Sequence, residues 1–148
     1  MIKLKRITDI TELMKWREEV IENVFGEKPS HALLLANREY YEKHIPYNTH
    51  IAFIALLDDE EVGSGSICLS EELPSPDNHS VKCAYLMNIY VRDKYRQHGI
   101  GHAIVSKLLE VAKSLGCEKI YLETTEDGRG VYTSMGFRDM PDMMKFKG

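Results

Sequence analysis

A basic stretch with two closely spaced glycines has the residue types needed to bind a phosphate group. Residues 96–101 read RQHGIG and lead directly into an apolar-periodic segment that predicts a helix. The first turn of a helix has unpaired backbone N–H groups and the positive end of the helix dipole, so it attracts anions. Gly99 and Gly101 let a phosphate reach those groups because no Cβ stands in the way. Together with Arg92, Lys94 and Arg96, these features predict a site fit for a pyrophosphate.

Other interpretations of the same stretch stay open at this stage. Gly99 can be an ordinary turn residue. A dinucleotide-binding fingerprint needs a third small residue where this chain has Ile104, although Glu123 lies at the distance expected of a ribose ligand. His98 and His102 have the spacing of a zinc-protease helix, but Gly99 stands where that helix needs glutamate. The two histidines are therefore interpreted as solvent-facing, and no metal site is predicted.

A second motif lies downstream, where residues 132–137 read YTSMGF. The pattern predicts a short helix over residues 127–135 that ends at a left-handed Gly136, with Phe137 packing back on the last turn. This explanation accounts for Gly136 and Phe137. It does not require a phenol at position 132, so packing leaves the identity of Tyr132 unexplained.

Hydrophobic periodicity predicts the elements that must position these motifs. In the first helix, Arg17 is the only residue that interrupts the apolar stripe. One strand–loop–helix–strand unit contains the phosphate loop, so a mixed α/β sheet in a single domain, residues 1–148, is expected. The predicted strands are 2–5, 50–57, 62–69, 81–91, 119–123 and 143–147, and the predicted helices are 10–25, 31–43, 100–115 and 127–135.

Composition limits the classes of protein to consider. The 148 residues fit one domain, and 43% hydrophobic with 28% charged residues is ordinary for a globular protein. A net charge of −4 argues against a nucleic-acid footprint, which would be basic, and suits cationic substrates such as amines. No segment approaches the ~20 apolar residues that span a bilayer, and no targeting segment is apparent. We therefore expect a soluble, cytoplasmic protein with no nucleic-acid or membrane partner.

The two motifs together resemble the GNAT superfamily of acetyl-CoA-dependent N-acetyltransferases. They follow one another at the spacing typical of that family, and the strand 85–91 (YLMNIYV) that enters the loop is similar as well. So is the DGRG sequence at 127–130, before Tyr132. The resemblance is specific over residues 81–137, whereas residues 1–80 are only compatible with it. It implies an α/β (α+β) domain with a mixed, mostly antiparallel sheet, helices on both faces, and fourth and fifth strands that splay apart.

The resemblance also implies roles for individual residues, with acetyl-CoA as co-substrate and no metal. Tyr132 would lie beside the thioester sulfur and protonate the leaving thiolate as a general acid. The backbone of Ile89 and Val91 would pair with the pantetheine arm like an added strand, and the Ile89 N–H would stabilise the oxyanion. The remaining cofactor contacts implied are Arg96, Gln97, Gly99, Ile100 and Gly101 at the pyrophosphate, with His102 in the first helical turn.

The base that takes the proton of the amine is less clear from the sequence. Some relatives have a carboxylate on the fourth strand, where this chain has Asn88, which cannot accept a proton. Glu123, at the end of the next strand, is the nearest carboxylate visible in the sequence, but a solvated residue at a strand end explains it equally well. A chain of water molecules is the alternative base. Asn88 is then expected to orient the substrate or a water. Tyr85 is either a residue of the substrate cleft that the resemblance implies or a core tyrosine.

These features predict transfer of an acetyl group from acetyl-CoA to a primary amine by direct attack in a ternary complex. The alternative is a non-catalytic acyl-CoA-binding or sensing module with the same fold, and a nucleotide-binding Rossmann-type module is more distant. The expected partner is a small-molecule or peptide amine, and homodimerisation is left open. The sequence points to no particular amine.

Overall fold

The computed structural model describes residues 1–148, which form five strands, four α-helices and one short 3-10 helix. None of the helices is both long and apolar enough to cross a membrane. The strands β1–β5 are Ile2–Ile7, His50–Leu57, Glu60–Glu71, Lys82–Val91 and Lys119–Leu122. The helices α1–α4 are Ile10–Val24, His31–His44, Ile100–Ser114 and Glu126–Ser134, and the 3-10 helix is Asp93–Tyr95.

The five strands form one sheet in the order β1-β2-β3-β4-β5. Neighbouring strands are antiparallel except β4 and β5, which are parallel and connected through α3. This parallel pairing ends at Leu86 and Leu122, whereas β4 continues to Val91. Beyond Leu86, this edge of β4 is therefore open, because β5 has ended. The mixed, mostly antiparallel sheet with splayed fourth and fifth strands is confirmed.

Helices cover both faces of the sheet, as expected. On one face, Ile104 and Leu108 of α3 are fully buried in the larger of two hydrophobic clusters. On the other face, Trp16 of α1 and Tyr41 of α2 are buried in the second cluster. The two helical layers hold the sheet between them, so the gap between β4 and β5 opens toward both layers.

A β-bulge in β4 changes the direction of one side chain beside this gap. In the register of β3 with β4, the single residue Gly65 lies opposite two residues, Asn88 and Ile89. Asn88 has a left-handed φ of 60°, which asparagine tolerates better than most residues. A Cβ at Gly65 would lie 2.4 Å from Cγ2 of Ile104, so glycine is required for α3 to pack this close to the bulge.

The prediction of a last strand at residues 143–147 is wrong. The chain after α4 forms no helix or strand, and the side chains of Met144 and Phe146 are 98% and 91% exposed. A short apolar pattern indicates which face a strand would bury, but a strand also needs a neighbour for its N–H and C=O groups. The sheet ends at β5, whose outer edge pairs with no other strand, so residues 143–147 lie outside the sheet.

Candidate active site

The gap between β4 and β5 opens at the end of β4 that leads to α3. The Arg92 N–H donates a hydrogen bond to the Val62 carbonyl of β3 at 2.9 Å. Because successive residues of a strand direct their N–H and C=O groups to opposite sides, Ile89 and Val91 direct theirs away from β3 and into the gap. These are the two residues predicted to pair with an extended cofactor arm, and no strand occupies that edge beyond Leu86.

The loop at residues 96–101 presents a row of unpaired backbone donors. Gln97 and Gly99 have left-handed φ values of 66° and 78°. No side chain caps α3, and its first backbone hydrogen bond runs from the Ala103 N–H to the Gly99 carbonyl at 3.0 Å. The N–H groups from Gln97 to His102 therefore donate to no other group of the chain. Such a row at the start of a 15-residue helix suits an anion with several oxygens.

Arg92 does not add free positive charge to this loop, contrary to the sequence-based expectation. Its guanidinium donates two hydrogen bonds to the Glu19 carboxylate, at 2.8 and 3.0 Å, and lies 4.5 Å from the centre of the Trp16 ring. The hydrogen bond from Arg92 holds the pKa of Glu19 below its ordinary value. Arg92 therefore fastens the end of β4 to α1, and its charge is neutralised there.

The other side chains of the loop are exposed or occupied within the protein. Arg96 donates to the Val91 carbonyl at 3.2 Å and forms an ion pair with Asp93 at 2.8 Å. His102 is exposed on the first turn of α3, while the Ile100 side chain is buried in the core. The backbone is thus the main anion-binding surface of the loop, and the Arg96 guanidinium is already paired with Asp93.

Tyr132 lies in α4, where packing accounts for its aromatic ring but not for its hydroxyl group. The ring contacts Phe137 edge-on, with centroids 5.8 Å apart, and packs against the core beneath α3. The Phe137 N–H donates to the Tyr132 carbonyl at 3.0 Å, closing the helix around Gly136, whose φ is 102°. Burial raises the pKa of the Tyr132 phenol, with no hydrogen bond contributing. The phenol is therefore protonated at neutral pH and has a proton to donate.

Asn88 is held by a residue of α1 that sequence reasoning did not include in the site. Its side-chain oxygen accepts a hydrogen bond from Arg17 Nη1 at 2.8 Å, and Arg17 Nε donates to the Asn37 side-chain oxygen at 2.9 Å. The sequence did contain a signal for the role of Arg17, because Arg17 is the only polar residue in the apolar stripe of α1. An arginine on the buried side of a helix needs a polar partner, and here the partners lie on α2 and at the bulge.

Glu123 follows β5 and faces the same side of the sheet as α1 and α2. Its carboxylate accepts a hydrogen bond from the Tyr85 hydroxyl at 2.9 Å. Burial first, and then Glu123 itself, raise the pKa of Tyr85 to about 12. Tyr85 lies in register with Cys68 of β3, which in turn lies opposite His50, a buried neighbour of α2. Tyr85 is thus half-buried on the α1 and α2 face of the sheet, where it holds the candidate base.

The candidate residues therefore divide between the two sides of the gap. The anion-binding loop and Tyr132 belong to the layer of α3 and α4, whereas Glu123 and Asn88 open toward α1 and α2. The gap joins the two sides, since Ile89 follows Asn88 directly on β4. This arrangement can hold an extended phosphate-bearing ligand from one side and a second reactant from the other.

Comparison with known proteins matches this arrangement to one family. A family profile described as "Acetyltransferase (GNAT) family" matches residues 10–137. The match includes β4, the loop at residues 96–101 and Tyr132.

Curated relatives match a shorter part of the chain. A glucosamine 6-phosphate N-acetyltransferase of Trypanosoma brucei brucei is 30% identical over 77 residues, which are 52% of this chain and 50% of that protein. A thialysine N-epsilon-acetyltransferase of Sus scrofa is 36% identical over 61 residues, 39% of this chain and 36% of that protein. The chain thus spans half the length, or less, of these curated relatives.

Solved structures match the fold over nearly its whole length. A predicted acetyltransferase from Clostridium acetobutylicum, determined with acetyl-CoA, superposes with a TM-score of 0.88 at 22% identity, covering 99% of this chain and 96% of that one. A GCN5-related N-acetyltransferase from Ralstonia eutropha JMP134 gives a TM-score of 0.80 at 19% identity, covering 99% of both chains. At these identities, the likeness establishes the fold.

Proposed function

The chain belongs to the GNAT acetyltransferase family, and from this premise we propose that it transfers the acetyl group of acetyl-CoA to a primary amine. The amine attacks directly, in a ternary complex of protein, acetyl-CoA and amine. The observation that supports this most is the row of unpaired N–H groups at the start of α3, which lies beside the open edge of β4.

The residues around the gap fit the proposed co-substrate. The N–H groups of residues 97–102 can bind a pyrophosphate, and the backbone of Ile89 and Val91 can pair with an extended pantetheine arm. Bound there, acetyl-CoA supplies a thioester carbonyl that an amine can attack. The proposed chemistry requires no metal ion.

The protein contributes positioning and proton transfer. Two reactants held on opposite sides of one gap react more readily than they do free in solution. The Ile89 N–H, which faces the gap, can stabilise the carbonyl oxygen as that oxygen gains negative charge. Tyr132, protonated at neutral pH, donates its proton to the sulfur when the carbon–sulfur bond breaks.

Glu123 is assigned as the base, because Asn88 cannot accept a proton and its side-chain oxygen is already bonded to Arg17. The Glu123 carboxylate is exposed at the α1 side of the gap and is held in place by the Tyr85 hydroxyl. A protonated amine cannot attack a carbonyl, so a carboxylate at this place can take its extra proton on binding.

Replacing Glu123 by glutamine is expected to lower kcat/KM at neutral pH by ~10²-fold, the lower range for general acid–base catalysis. The amide keeps the shape and can still accept from Tyr85, but it cannot take a proton. The loss should shrink as the pH approaches the pKa of the amine, because more substrate then arrives neutral. Glu118→Gln, which removes an exposed carboxylate just before β5, is the matched control. An unchanged pH–rate profile in Glu123→Gln would assign the base role to water instead.

The function itself is tested by following release of free CoA thiol from acetyl-CoA in the presence of a panel of amines. Glucosamine 6-phosphate and thialysine belong in the panel because curated relatives are named for them. We expect release that depends on at least one amine, together with the acetylated product by mass spectrometry. Thermal stabilisation by acetyl-CoA without any amine-dependent release would instead favour an acyl-CoA-binding module with the same fold.

A further inference from the structure

Arg17 is a half-buried arginine whose charge no carboxylate of the chain neutralises. Its guanidinium donates hydrogen bonds to two neutral amides, those of Asn37 and Asn88, and forms no ion pair. Arg92 and Arg96, by contrast, are each paired with a carboxylate. Exposed arginines can rely on water, but a partly buried guanidinium without a counter-charge is costly unless something else neutralises it.

The two amides fix the guanidinium and leave part of it free. Nε is bonded to Asn37 and Nη1 to Asn88, so Nη2 has no partner within the chain. Guanidinium groups present planar pairs of donors that suit carboxylate and phosphate oxygens. The positive charge also reaches a buried neighbour: burial first, then His44 and then Arg17 lower the pKa of His50 to about 4.

The position of Arg17 places this donor next to the reaction site. Asn88, to which it is bonded, directly precedes Ile89, whose N–H faces the gap. The ring of Phe25, at the end of α1, lies 6.0 Å from the central carbon of the guanidinium. Phe25 is 65% exposed. A small ligand could therefore contact an apolar ring and an unneutralised cation on the side of the gap where Glu123 also lies.

We propose that Arg17 recognises an anionic group, carboxylate or phosphate, on the acceptor, so that the substrate is a small primary amine that also bears a negative charge. The amine end reaches Glu123 and the gap, and the anionic end pairs with Arg17. This inference rests on the proposed acetyl transfer, and it narrows the substrate class from primary amines in general to primary amines that carry an anionic group.

The test compares acceptors that differ only in the anionic group. Lysine and cadaverine differ by a carboxylate, and glucosamine 6-phosphate and glucosamine differ by a phosphate. In the thiol-release assay we expect the anionic member of at least one pair to have a kcat/KM roughly 10- to 100-fold higher, the scale of a charge-assisted hydrogen bond. Which pair shows the difference distinguishes a carboxylate from a phosphate.

Variants at Arg17 separate recognition from a structural role. Arg17→Met should lower kcat/KM for the anionic acceptor, mainly through KM, by 10- to 100-fold more than it does for the acceptor of the same pair that lacks the anionic group. Arg17→Lys keeps the charge and should retain part of the preference. Arg38→Met, which removes an exposed arginine of α2, should change neither. An equal loss for both members of each pair, or equal use of both by the wild type, would overturn the proposal.

Calorimetric titration of the same compounds, with CoA present, distinguishes this proposal from the proposed function. If no amine supports thiol release, acetyl transfer fails as the function. Binding of an anionic compound that Arg17→Met abolishes would still establish the anion site, and absence of such binding would overturn it.

Discussion

Replacing Gly101 by glutamate is expected to abolish acetyl-CoA binding while leaving the chain folded. A Cβ at this position would meet only Cγ2 of Val91, at 3.9 Å, so the protein itself has room for a side chain. A carboxylate in the first turn of α3 also interacts favourably with the helix dipole, by about 0.3–1 kcal/mol. The same carboxylate would occupy the place where the backbone N–H groups are proposed to hold the pyrophosphate, and its negative charge would repel that group.

Thermal unfolding with and without acetyl-CoA measures this effect. At a ligand concentration 100 times Kd, the wild type should gain about 2.7 kcal/mol of stability, and Gly101→Glu should gain none. Gly101→Gln, which has the same length without the charge, separates the contribution of bulk from that of repulsion. A ligand-induced shift of wild-type size in Gly101→Glu would place the pyrophosphate elsewhere.

Elements with local signals could be predicted from the sequence. Asp9 caps α1 by accepting a hydrogen bond from the Thr11 N–H at 2.9 Å, and Ser30 caps α2 through the Leu33 N–H at 3.1 Å. The predicted helices 10–25 and 31–43 begin directly after these two residues, and such starts can be predicted because a cap depends only on residues within one turn. The loop at residues 96–101 could be predicted for the same reason, because its residues are consecutive in the sequence.

Features that depend on two distant segments could not be predicted. The bulge at Asn88 exists because Gly65, on another strand, lies opposite two residues, and its contact with α3 cannot be inferred from either segment alone. Arg92 was expected to serve the phosphate loop because it is adjacent in sequence, but Glu19 of α1 binds it instead. The strand predicted at residues 143–147 failed for the same reason, since pairing requires a partner that a pattern does not reveal.

Tyr132 is the catalytic candidate for which packing offers the clearest alternative role. If Tyr132 only packs, its ring is sufficient, and the hydroxyl is incidental. If it is the general acid, the hydroxyl is essential, and the raised pKa caused by burial keeps its proton in place at neutral pH. Removing the oxygen alone distinguishes the two roles.

Tyr132→Phe should retain the fold and nearly normal acetyl-CoA affinity, because the ring keeps its contact with Phe137. Its kcat should fall by ~10²-fold or more, since the thiolate would then leave without a proton. A parallel fall in kcat and kcat/KM would show that the lost interaction forms in the transition state. Tyr95→Phe, which removes a hydroxyl from another half-buried tyrosine against the same core, is the control and should keep its kcat. If Tyr132→Phe turned over an identified amine at the wild-type rate, with chemistry rate-limiting, Tyr132 would be a packing residue, and the thiolate would be leaving unassisted.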